Sequence, residues 1–525
     1  MNFSKKNHIL IAFTLPTDRP SVKLNRISRS YANKKLLLFI VIVFTLLSIN
    51  GQTEVEKVNT TISKNDIESQ IHFLASDELR GRETGSPEID IAAAYLANTL
   101  HRYNVKPAGE NNSFYQYVQL EKISAAKNLS IQLNDLYSKK LLPLQAVNID
   151  FKGSAIYLNY GLEDDYKDNQ VKGKLVIVKA GTAEKNDVRS AFGYARKKRK
   201  LAKEHGALGL IELSNANDIV WSDISHFFSG EKLRLANSDK EQSIHLWLQD
   251  TDGSIEKQLV SAKSFEGSVT ISGINKKPAI SRNIVGMLEG SDPKLKDEFV
   301  IYSAHYDHVG IGKPNAENDS IYNGARDNAV GTVTVLSAAE NIAKYPTKRS
   351  ALFILFTGEE KGLLGSKWYV EHPVIPLDKM VYCFNSDNGG YNDTTKATII
   401  GLNRTTVGKH IVNAAAQFGL TAIDDPAPEQ GLFDRSDNVH FAKKGIPAPT
   451  FSLGFTAFDA EINKYYHQVT DNPDTLDYDY LVKFFKSYVL SCRLIANDPE
   501  TPFWTEGDKY YEDGKKLYKR VAIKR

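Results

Sequence analysis

Five side chains of types that bind metal ions occur in the C-terminal half of the chain, each beside a short apolar run. They are His305, Asp327, Glu360, Asp387 and His467. Imidazole nitrogens and carboxylate oxygens are common zinc ligands in catalytic sites. Two histidines and three carboxylates suit a pair of zinc ions that share one carboxylate, and such a pair activates water at neutral pH. The set therefore predicts a hydrolase.

Each of the five residues also has an ordinary alternative role. Asp327 could cap a helix, and His467 could be a solvated loop histidine. Four of the five, however, follow a strand-like apolar run or the short loop after one. Crevices form at the carboxyl ends of parallel strands in open α/β sheets. One shared metal site explains this arrangement more simply than five unrelated roles.

Two acids beside the predicted ligands could assist them. Asp307 follows His305 by two residues and could accept the second N–H of that imidazole, which would fix its tautomer. Glu359 precedes Glu360, so one of these acids could bind metal while the other takes a proton from water. Both residues are therefore candidates for the catalytic machinery.

The elements that would position these residues alternate between strand and helix from Asn283 onward. The predicted elements are Phe299–Ala304, Ala329–Ala343, Ala351–Phe356, Gly365–Glu371, Met380–Asn385, Val407–Phe418 and Ala448–Leu453. This alternation predicts an α/β fold with an open, mostly parallel mixed sheet flanked by helices. The spacing of apolar residues from Ile67 to Gly109 predicts two further helices and a loop.

Changes in composition and in residue pattern along the chain predict four segments. Residues 1–51 form a basic head with an export signal, and residues 141–275 form an inserted β-rich domain. Residues 52–140 together with 276–500 form the catalytic domain. Residues 501–525 form a C-terminal tail that contains no interpretable motif.

The basic head favours export. Lys34 and Lys35 precede an apolar stretch, residues 36–49, which is shorter than the roughly 20 residues needed to span a bilayer. We expect a periplasmic or extracellular protein, with membrane anchoring through residues 36–49 as the alternative. No stable membrane partner is expected unless the signal stays uncleaved.

Charge and cysteine content exclude two other classes. The net charge is +3, but the head alone contains eight Lys/Arg against one acid, so the remainder is net negative. A nucleic-acid partner is therefore not expected. Only Cys383 and Cys492 are present, which excludes a disulfide framework.

In type and order, the five metal-type residues resemble those of the co-catalytic di-zinc aminopeptidases. That family includes exported bacterial aminopeptidases and glutamate carboxypeptidase. The resemblance spans about Ile67 to Asn497 and implies a zinc-peptidase, phosphorylase-like fold that binds two zinc ions per chain and acts on peptides. It implies one zinc on His305 and Asp387, a second on Glu360 and His467, and Asp327 between them.

The resemblance also suggests catalytic and substrate-binding roles. It implies that Glu359 is the general base and that Asp307 orients His305. Tyr466 matches a tyrosine that can hydrogen-bond the oxyanion. The segment "FDRSDNVHFAKKGIP" is similar to a substrate loop, so Arg435, Ser436 and Asp437 are expected near the substrate amine. The segment "YGLEDDYKDNQVKGKLVIVKAG" is similar to a protease-associated domain.

The expected function is that of an exported zinc aminopeptidase that removes N-terminal residues by means of a hydroxide held between two metal ions. A carboxypeptidase acting on small acidic peptides is one alternative, for which the basic run Arg196–Lys200 could supply charge. A single-zinc glutaminyl cyclase on the same fold is a second alternative. A receptor-like module without activity is disfavoured, because such proteins normally lack ligands and this set is complete.

Overall fold

Three β-sheets occur in the part of the chain that the computed structural model describes, residues 52–519 with gaps at residues 168, 217, 237–242 and 263. Among these residues, one sheet has ten strands, a second has eight, and a third pairs the short strands Gly310–Ile311 and Ile321–Tyr322. The predicted export signal and the alternative membrane anchor lie outside the described residues. Within the described part, no helix is long and apolar enough to cross a membrane.

The helices and strands have the following bounds. The α-helices are α1 Glu54–Asn59, α2 Lys64–Leu74, α3 Pro87–Arg102, α4 Val188–Glu204, α5 Trp221–Ser229, α6 Ser254–Ala262, α7 Gly331–Lys344, α8 Leu364–Glu371, α9 Gly408–Gln417, α10 Asn438–Ala442, α11 Ala460–Asn463, α12 Tyr478–Asn497 and α13 Tyr511–Leu517. The strands are β1 Lys106–Pro107, β2 Tyr115–Ile123, β3 Asn128–Leu133, β4 Leu136–Ser138, β5 Leu141–Pro143, β6 Ile149–Tyr157, β7 Leu175–Lys179, β8 Gly209–Ser214, β9 Lys232–Leu235, β10 Ile244–Gln249, β11 Ser264–Ser272, β12 Lys276–Leu288, β13 Phe299–His305, β14 Gly310–Ile311, β15 Ile321–Tyr322, β16 Ser350–Phe356, β17 Met380–Ser386, β18 Lys396–Ile400, β19 Thr421–Asp424 and β20 Thr450–Leu453.

The ten-stranded sheet is mixed, with a parallel centre. Its order is β19-β18-β20-β17-β13-β16-β12-β2-β9, and β1 pairs with β12. The neighbours β16, β13, β17 and β20 run parallel, while β12 and β18 join them antiparallel. The predicted mostly parallel mixed α/β sheet is therefore confirmed.

Helices cover both faces of this sheet, which explains the continuous apolar runs of its central strands. Every residue of β16 and β17 is buried, as expected for parallel strands covered on both sides. Along the central strands, every second residue packs with α7 and α12 in one core. The intervening residues face the other side of the sheet and pack with α8 and α10 in a second core. The predicted elements from Phe299 onward agree with the observed ones to within about two residues at each end.

The eight-stranded sheet is built from the predicted inserted segment and the residues just before it. Its order is β4-β3-β11-β6-β7-β8-β10-β5, and it begins at Asn128, before the predicted boundary at residue 141. One strand of the inserted segment, β9, does not join this sheet and pairs instead with β2 of the ten-stranded sheet. The assignment of residues 141–275 as a separate domain stays a prediction.

The described C-terminal residues pack in the second core of the ten-stranded sheet, together with α8 and α10. Trp504 is buried, and its indole N–H donates to the carbonyl of Gly445 at 2.9 Å. Arg404 pairs with Asp508 at 2.6 Å. The described part of the tail, up to residue 519, therefore belongs to the second core.

Cys383 and Cys492 are both buried free thiols.

Candidate metal centre

The strands bring the five predicted ligands to one edge of the ten-stranded sheet. His305 ends β13, Glu360 lies just after β16, and Asp387 directly follows β17. Because these three parallel strands are neighbours, their carboxyl ends open into the same crevice. Asp327 enters this crevice from the turn before α7, and His467 enters from the loop after α11.

The donor atoms form two overlapping groups that share Asp327. In the first group, His305 Nε2 lies 3.4 Å from Asp327 Oδ1 and 3.2 Å from Asp387 Oδ1. In the second, His467 Nε2 lies 3.1 Å from Asp327 Oδ2 and 3.2 Å from Glu360 Oε2. One oxygen of Asp327 therefore faces each group, as a carboxylate shared by two metal ions requires.

These spacings fit zinc. Donor atoms around a tetrahedral zinc, bound at roughly 2.0–2.2 Å, are separated by roughly 3.3–3.6 Å. The observed separations of 3.1 to 3.4 Å lie close to that range. Nitrogen and carboxylate oxygen donors without thiolates match the ligand set of catalytic zinc sites.

His308 is a further member of the site to which the sequence analysis assigned no role. Its Nδ1 lies 2.8 Å from Glu360 Oε1, and it forms a possible metal-binding group with Asp327 and Glu360. Both of these atoms are buried, yet neither makes a hydrogen bond. A close approach without hydrogen-bond geometry suits atoms that converge on a cation. The only sequence signal was its place three residues after His305.

Asp307 supports the site differently from the prediction. His305 Nδ1 lies 3.1 Å from the main-chain carbonyl of Asp307 and 3.9 Å from its carboxylate. That carboxylate instead accepts hydrogen bonds from the amides of Glu359 and Glu360, and from the hydroxyl of Thr84 at 2.8 Å. The carbonyl holds the imidazole, while the side chain fixes the turn that carries the two glutamates.

Two buried residues that the sequence analysis did not select also position the predicted ligands. Arg82 donates to the carbonyls of Tyr306 at 2.8 Å and Gly324 at 2.7 Å, so it ties the segment after His305 to the turn before Asp327. Asp471 accepts hydrogen bonds from the main chain of that turn. No local sequence motif identifies either residue, because the main-chain groups that they bind at the site lie far away in the sequence.

The electrostatics of the centre separate its carboxylates into two kinds. Burial and the charge of Asp327 raise the pKa of Glu360, but the close approach of the His308 and His467 imidazoles outweighs them and lowers that pKa to about 2. Burial raises the pKa of Glu359 well above its ordinary value, and the charges of Asp387 and Glu360 raise it further. Glu360 therefore suits a ligand, and Glu359 suits a group that accepts and returns a proton.

The metal centre forms one wall of a cavity of about 380 Å³. Glu359, Arg435, Ser436 and Tyr466 line it, and its apolar wall consists of Ile400, Leu432, Phe455, Phe458 and Ile462. The Tyr466 hydroxyl lies 3.4 Å from the guanidinium of Arg435. Burial raises the pKa of Tyr466, so the phenol stays protonated and can donate.

Asp437 takes a different place from the other two residues of the predicted substrate loop. It is fully buried and is absent from the cavity lining, whereas Arg435 and Ser436 belong to it. Burial raises the pKa of Asp437 to about 7. The loop is held by Asn438, whose side-chain amide donates to the carbonyls of Phe433 and Ala448. A direct contact of Asp437 with substrate therefore has no support in this geometry.

Comparisons with known proteins agree with the geometry. Residues 283–490 match Peptidase family M28. The chain is 31% identical over 198 residues to aminopeptidase YwaD of Bacillus subtilis. That alignment covers 37% of this chain and 40% of the Bacillus protein. It is 23% identical over 374 residues to the probable leucine aminopeptidase 2 of Aspergillus oryzae, covering 66% and 67% of the two. The chain thus spans less than half the length of the Bacillus relative.

A solved structure has the same fold. The aminopeptidase from Aneurinibacillus sp. strain AM-1 aligns with a TM-score of 0.57 at 19% identity, over 85% of this chain and 97% of that one. The match of residues 283–490 agrees with the predicted family, and the solved structure confirms the predicted α/β fold.

Proposed function

We propose, from the premise that residues 283–490 form a peptidase family M28 domain, that this protein is a zinc-dependent aminopeptidase. The observation that carries the proposal is the convergence of the two donor groups on Asp327 in one cavity with Glu359. The aminopeptidase relatives support the same class of enzyme. Zinc bound here would polarise the scissile carbonyl and make water a stronger nucleophile at neutral pH.

We propose two zinc ions per chain. His305 and Asp387 would hold one, Glu360 and His467 would hold the other, and Asp327 would contribute to both sites. The distances support this division, because each donor group contains a histidine nitrogen and carboxylate oxygens within 3.1 to 3.4 Å.

The chain's own residues would move the protons. Glu359, whose pKa burial raises, would accept a proton from the attacking water and return it to the departing amine. The Tyr466 hydroxyl would donate a hydrogen bond to the oxyanion that develops on the substrate. Arg435 lies 3.4 Å from that hydroxyl and would hold it in place.

The shape and charge of the cavity favour an apolar N-terminal residue with a free amine. Its carboxylates favour a cationic amine, and the apolar wall around Phe455, Phe458 and Ile462 favours a side chain of about the size of leucine. The name of the Aspergillus relative supports the same preference. We therefore propose peptides with N-terminal leucine or a similar residue as substrates.

The alternatives are less well supported. A carboxypeptidase would need cations around a C-terminal carboxylate, and the basic run Arg196–Lys200 is absent from the cavity lining. It lies on α4 instead, where Lys198 is buried against Glu212. A single-zinc cyclase would not need the second donor group, which is complete here.

A substrate panel tests the proposal. Leucyl-, arginyl- and glutamyl-p-nitroanilide, N-acetyl-leucyl-p-nitroanilide and an N-acetylated acidic dipeptide would be assayed with and without a chelator. We expect fastest hydrolysis of the leucyl compound, loss of activity with chelator and recovery with zinc. Equal cleavage of the N-acetylated leucyl compound would contradict an aminopeptidase, and preference for the acidic dipeptide would favour the carboxypeptidase.

We also propose that the protein is exported and that residues 141–275 are a protease-associated domain. Both proposals rest on the sequence patterns given above. N-terminal sequencing of protein recovered from the periplasm or medium would test the first. A start within residues 45–60 would support cleavage of the signal.

A further inference from the structure

The C-terminal tail, to which the sequence analysis assigned no role, contacts the loop that carries Arg435 to the cavity. The contact is made at a short 3₁₀ turn, Leu432–Asp434. Leu432 and Arg435 line the cavity, whereas Phe433 and Asp434, between them, contact the tail. Residues three apart share a face of such a turn, and the amide of Arg435 donates to the carbonyl of Leu432 at 3.1 Å. The turn therefore has one face on the cavity and another on the tail.

The ring of Phe433 is anchored among side chains of the tail. It is buried, and its centre lies 6.3 Å from the ring of Trp504 and 6.1 Å from that of Tyr510. The guanidinium of Arg404 lies 3.7 Å from the centre of the same ring and pairs with Asp508 of the tail at 2.6 Å. Ring packing and a cation over the ring face both favour one position of the ring. The tail therefore fixes where the turn lies.

The carboxylate of Asp434 adds a second, polar contact to the tail. It accepts hydrogen bonds from Lys509 Nζ at 2.8 Å and from the hydroxyl of Tyr510 at 3.2 Å. The side chains of Lys509 and Asp434 are each about half exposed, so this ion pair adds little to the free energy of unfolding. Two donors on one carboxylate nevertheless restrict its direction, and with it the orientation of the next residue, Arg435.

Arg435 needs such a restriction because its own side chain is exposed. A long exposed side chain samples many rotamers, yet this guanidinium donates to the hydroxyl oxygen of Tyr466 at 3.4 Å. A donor on the phenol oxygen leaves the phenol's own O–H available for the substrate and strengthens it as a donor. The orientation of the turn therefore affects how well Tyr466 can serve the oxyanion.

We propose that Lys509 and Tyr510 of the tail are positioning residues for the proposed reaction. Through Asp434 they hold the turn, and the turn holds the Arg435 guanidinium at the hydroxyl of Tyr466. The inference rests on the proposed function and gives the tail a role in turnover. Because the oxyanion develops only in the transition state, the tail should affect kcat and leave KM nearly unchanged.

Removing both donors to Asp434 tests the inference in the full-length, zinc-loaded protein. The double variant Lys509→Met with Tyr510→Phe keeps the size of both side chains but donates nothing to the carboxylate. We expect kcat on leucyl-p-nitroanilide to fall about five- to tenfold, because two hydrogen bonds can bias the turn by no more than their own strength. KM should stay within about twofold. Lys509→Arg alone keeps a cation at this position and should retain kcat.

The matched control removes a lysine ion pair and a tyrosine hydrogen bond elsewhere in the tail. Lys516 lies 3.4 Å from Asp513, and the hydroxyl of Tyr518 donates to the carbonyl of Met380. We expect Lys516→Met with Tyr518→Phe to keep the kcat of the unaltered protein. An equal fall of kcat in the control would overturn the inference, since a general loosening of the tail would then explain both results.

A second background shows whether the effect passes through Tyr466. Tyr466→Phe should lower kcat about 100-fold, as expected for loss of one donor to an oxyanion. Adding Lys509→Met and Tyr510→Phe to it should lower kcat no further, because residues that act through one group are not additive. A tail effect that persists at full size in this background, or that occurs in KM alone, would overturn the inference.

The outcomes separate this inference from the proposed function. An unchanged kcat in the double variant, when the unaltered protein hydrolyses leucyl-p-nitroanilide, would overturn the inference alone. An unaltered protein without aminopeptidase activity would overturn the proposed function and the inference with it. Where the double variant does not fold, Asp434→Ala decides the question, because it removes the acceptor at a half-exposed position and should lower kcat by the same factor.

Discussion

The carboxylate of Asp471 accepts a hydrogen bond from the main-chain amide of Asp327, with a distance of 3.2 Å between nitrogen and oxygen. It also accepts from the amide of Arg326 at 3.0 Å and pairs with that residue's guanidinium at 3.1 Å. Asp471 lies in the same loop as His467. One loop therefore supplies a predicted ligand of the second donor group and also fixes the carboxylate that both groups share.

Replacing Asp471 should weaken both the fold and the metal site. Asp471→Ala leaves the buried Arg326 guanidinium without its carboxylate partner, which typically costs about 3–5 kcal/mol of unfolding free energy, and releases the turn that carries Asp327. We expect a lower midpoint in urea and fewer zinc ions per chain by plasma emission. Asp474→Ala, at a side chain that is 87% exposed, is the control and should change neither. Normal zinc content in Asp471→Ala would contradict the positioning role.

Glu359→Gln should separate catalysis from metal binding. The amide keeps the shape of the side chain but cannot accept the proton, so kcat should fall by about three or more orders of magnitude. Zinc content should stay that of the unaltered protein. The exposed Glu371 at the end of α8 offers a control, since Glu371→Gln should keep full activity. Activity within tenfold of the unaltered protein would rule out Glu359 as the base.

Asp327→Ala should remove metal as well as activity. Because one carboxylate faces both donor groups, its loss should lower the affinity for both ions. We expect two zinc ions per chain in the unaltered protein and fewer than one in the variant, with the exposed Asp378→Ala as control. Two tightly bound ions in Asp327→Ala would show that the carboxylate is not shared.

His308→Ala tests a residue that the sequence analysis left without a role. If His308 positions Glu360, the variant should keep two sites while its zinc affinity falls about 10- to 100-fold, as for other residues that orient ligands. Competition with a chromophoric chelator would measure this change. His372→Ala, at an exposed histidine, is the control. Loss of one whole site would instead make His308 a ligand, and unchanged affinity would exclude both roles.

His440 should make stability depend on pH. Burial lowers its pKa from 6.5 to about 4, helped by the charges of Lys443, Lys367 and Lys444. Between these values the unfolded chain binds the proton and the folded chain does not, so unfolding becomes easier as the pH falls from 6.5 to 4. The loss amounts to at most about 3 kcal/mol.

Urea unfolding at several pH values would measure this effect. We expect His440→Gln to lose less stability than the unaltered protein over that window, and the exposed His101→Gln to behave like the unaltered protein. Identical pH dependence in His440→Gln would contradict the assignment.

Much of the ten-stranded sheet could be predicted from local patterns. The apolar runs that became β13, β16 and β17 are buried on both faces, and such strands read as continuous apolar segments. The helices α7, α8 and α9 were predicted at nearly their observed bounds because their apolar periodicity is local. The pairing of β9 with β2 could not be predicted, because it joins segments that no local signal connects.

By itself, the sequence determined the chemical types of the five predicted ligands, their order, and the strand ends on which three of them lie. Those properties depend on residue type and short spacing, which a sequence contains directly. Only the tertiary structure decided that a carbonyl rather than the Asp307 carboxylate holds His305, that His308 approaches Glu360, and that Asp471 fixes Asp327. Such contacts depend on strand register and on loops packed from distant parts of the chain, and these follow from the free energy of the whole fold.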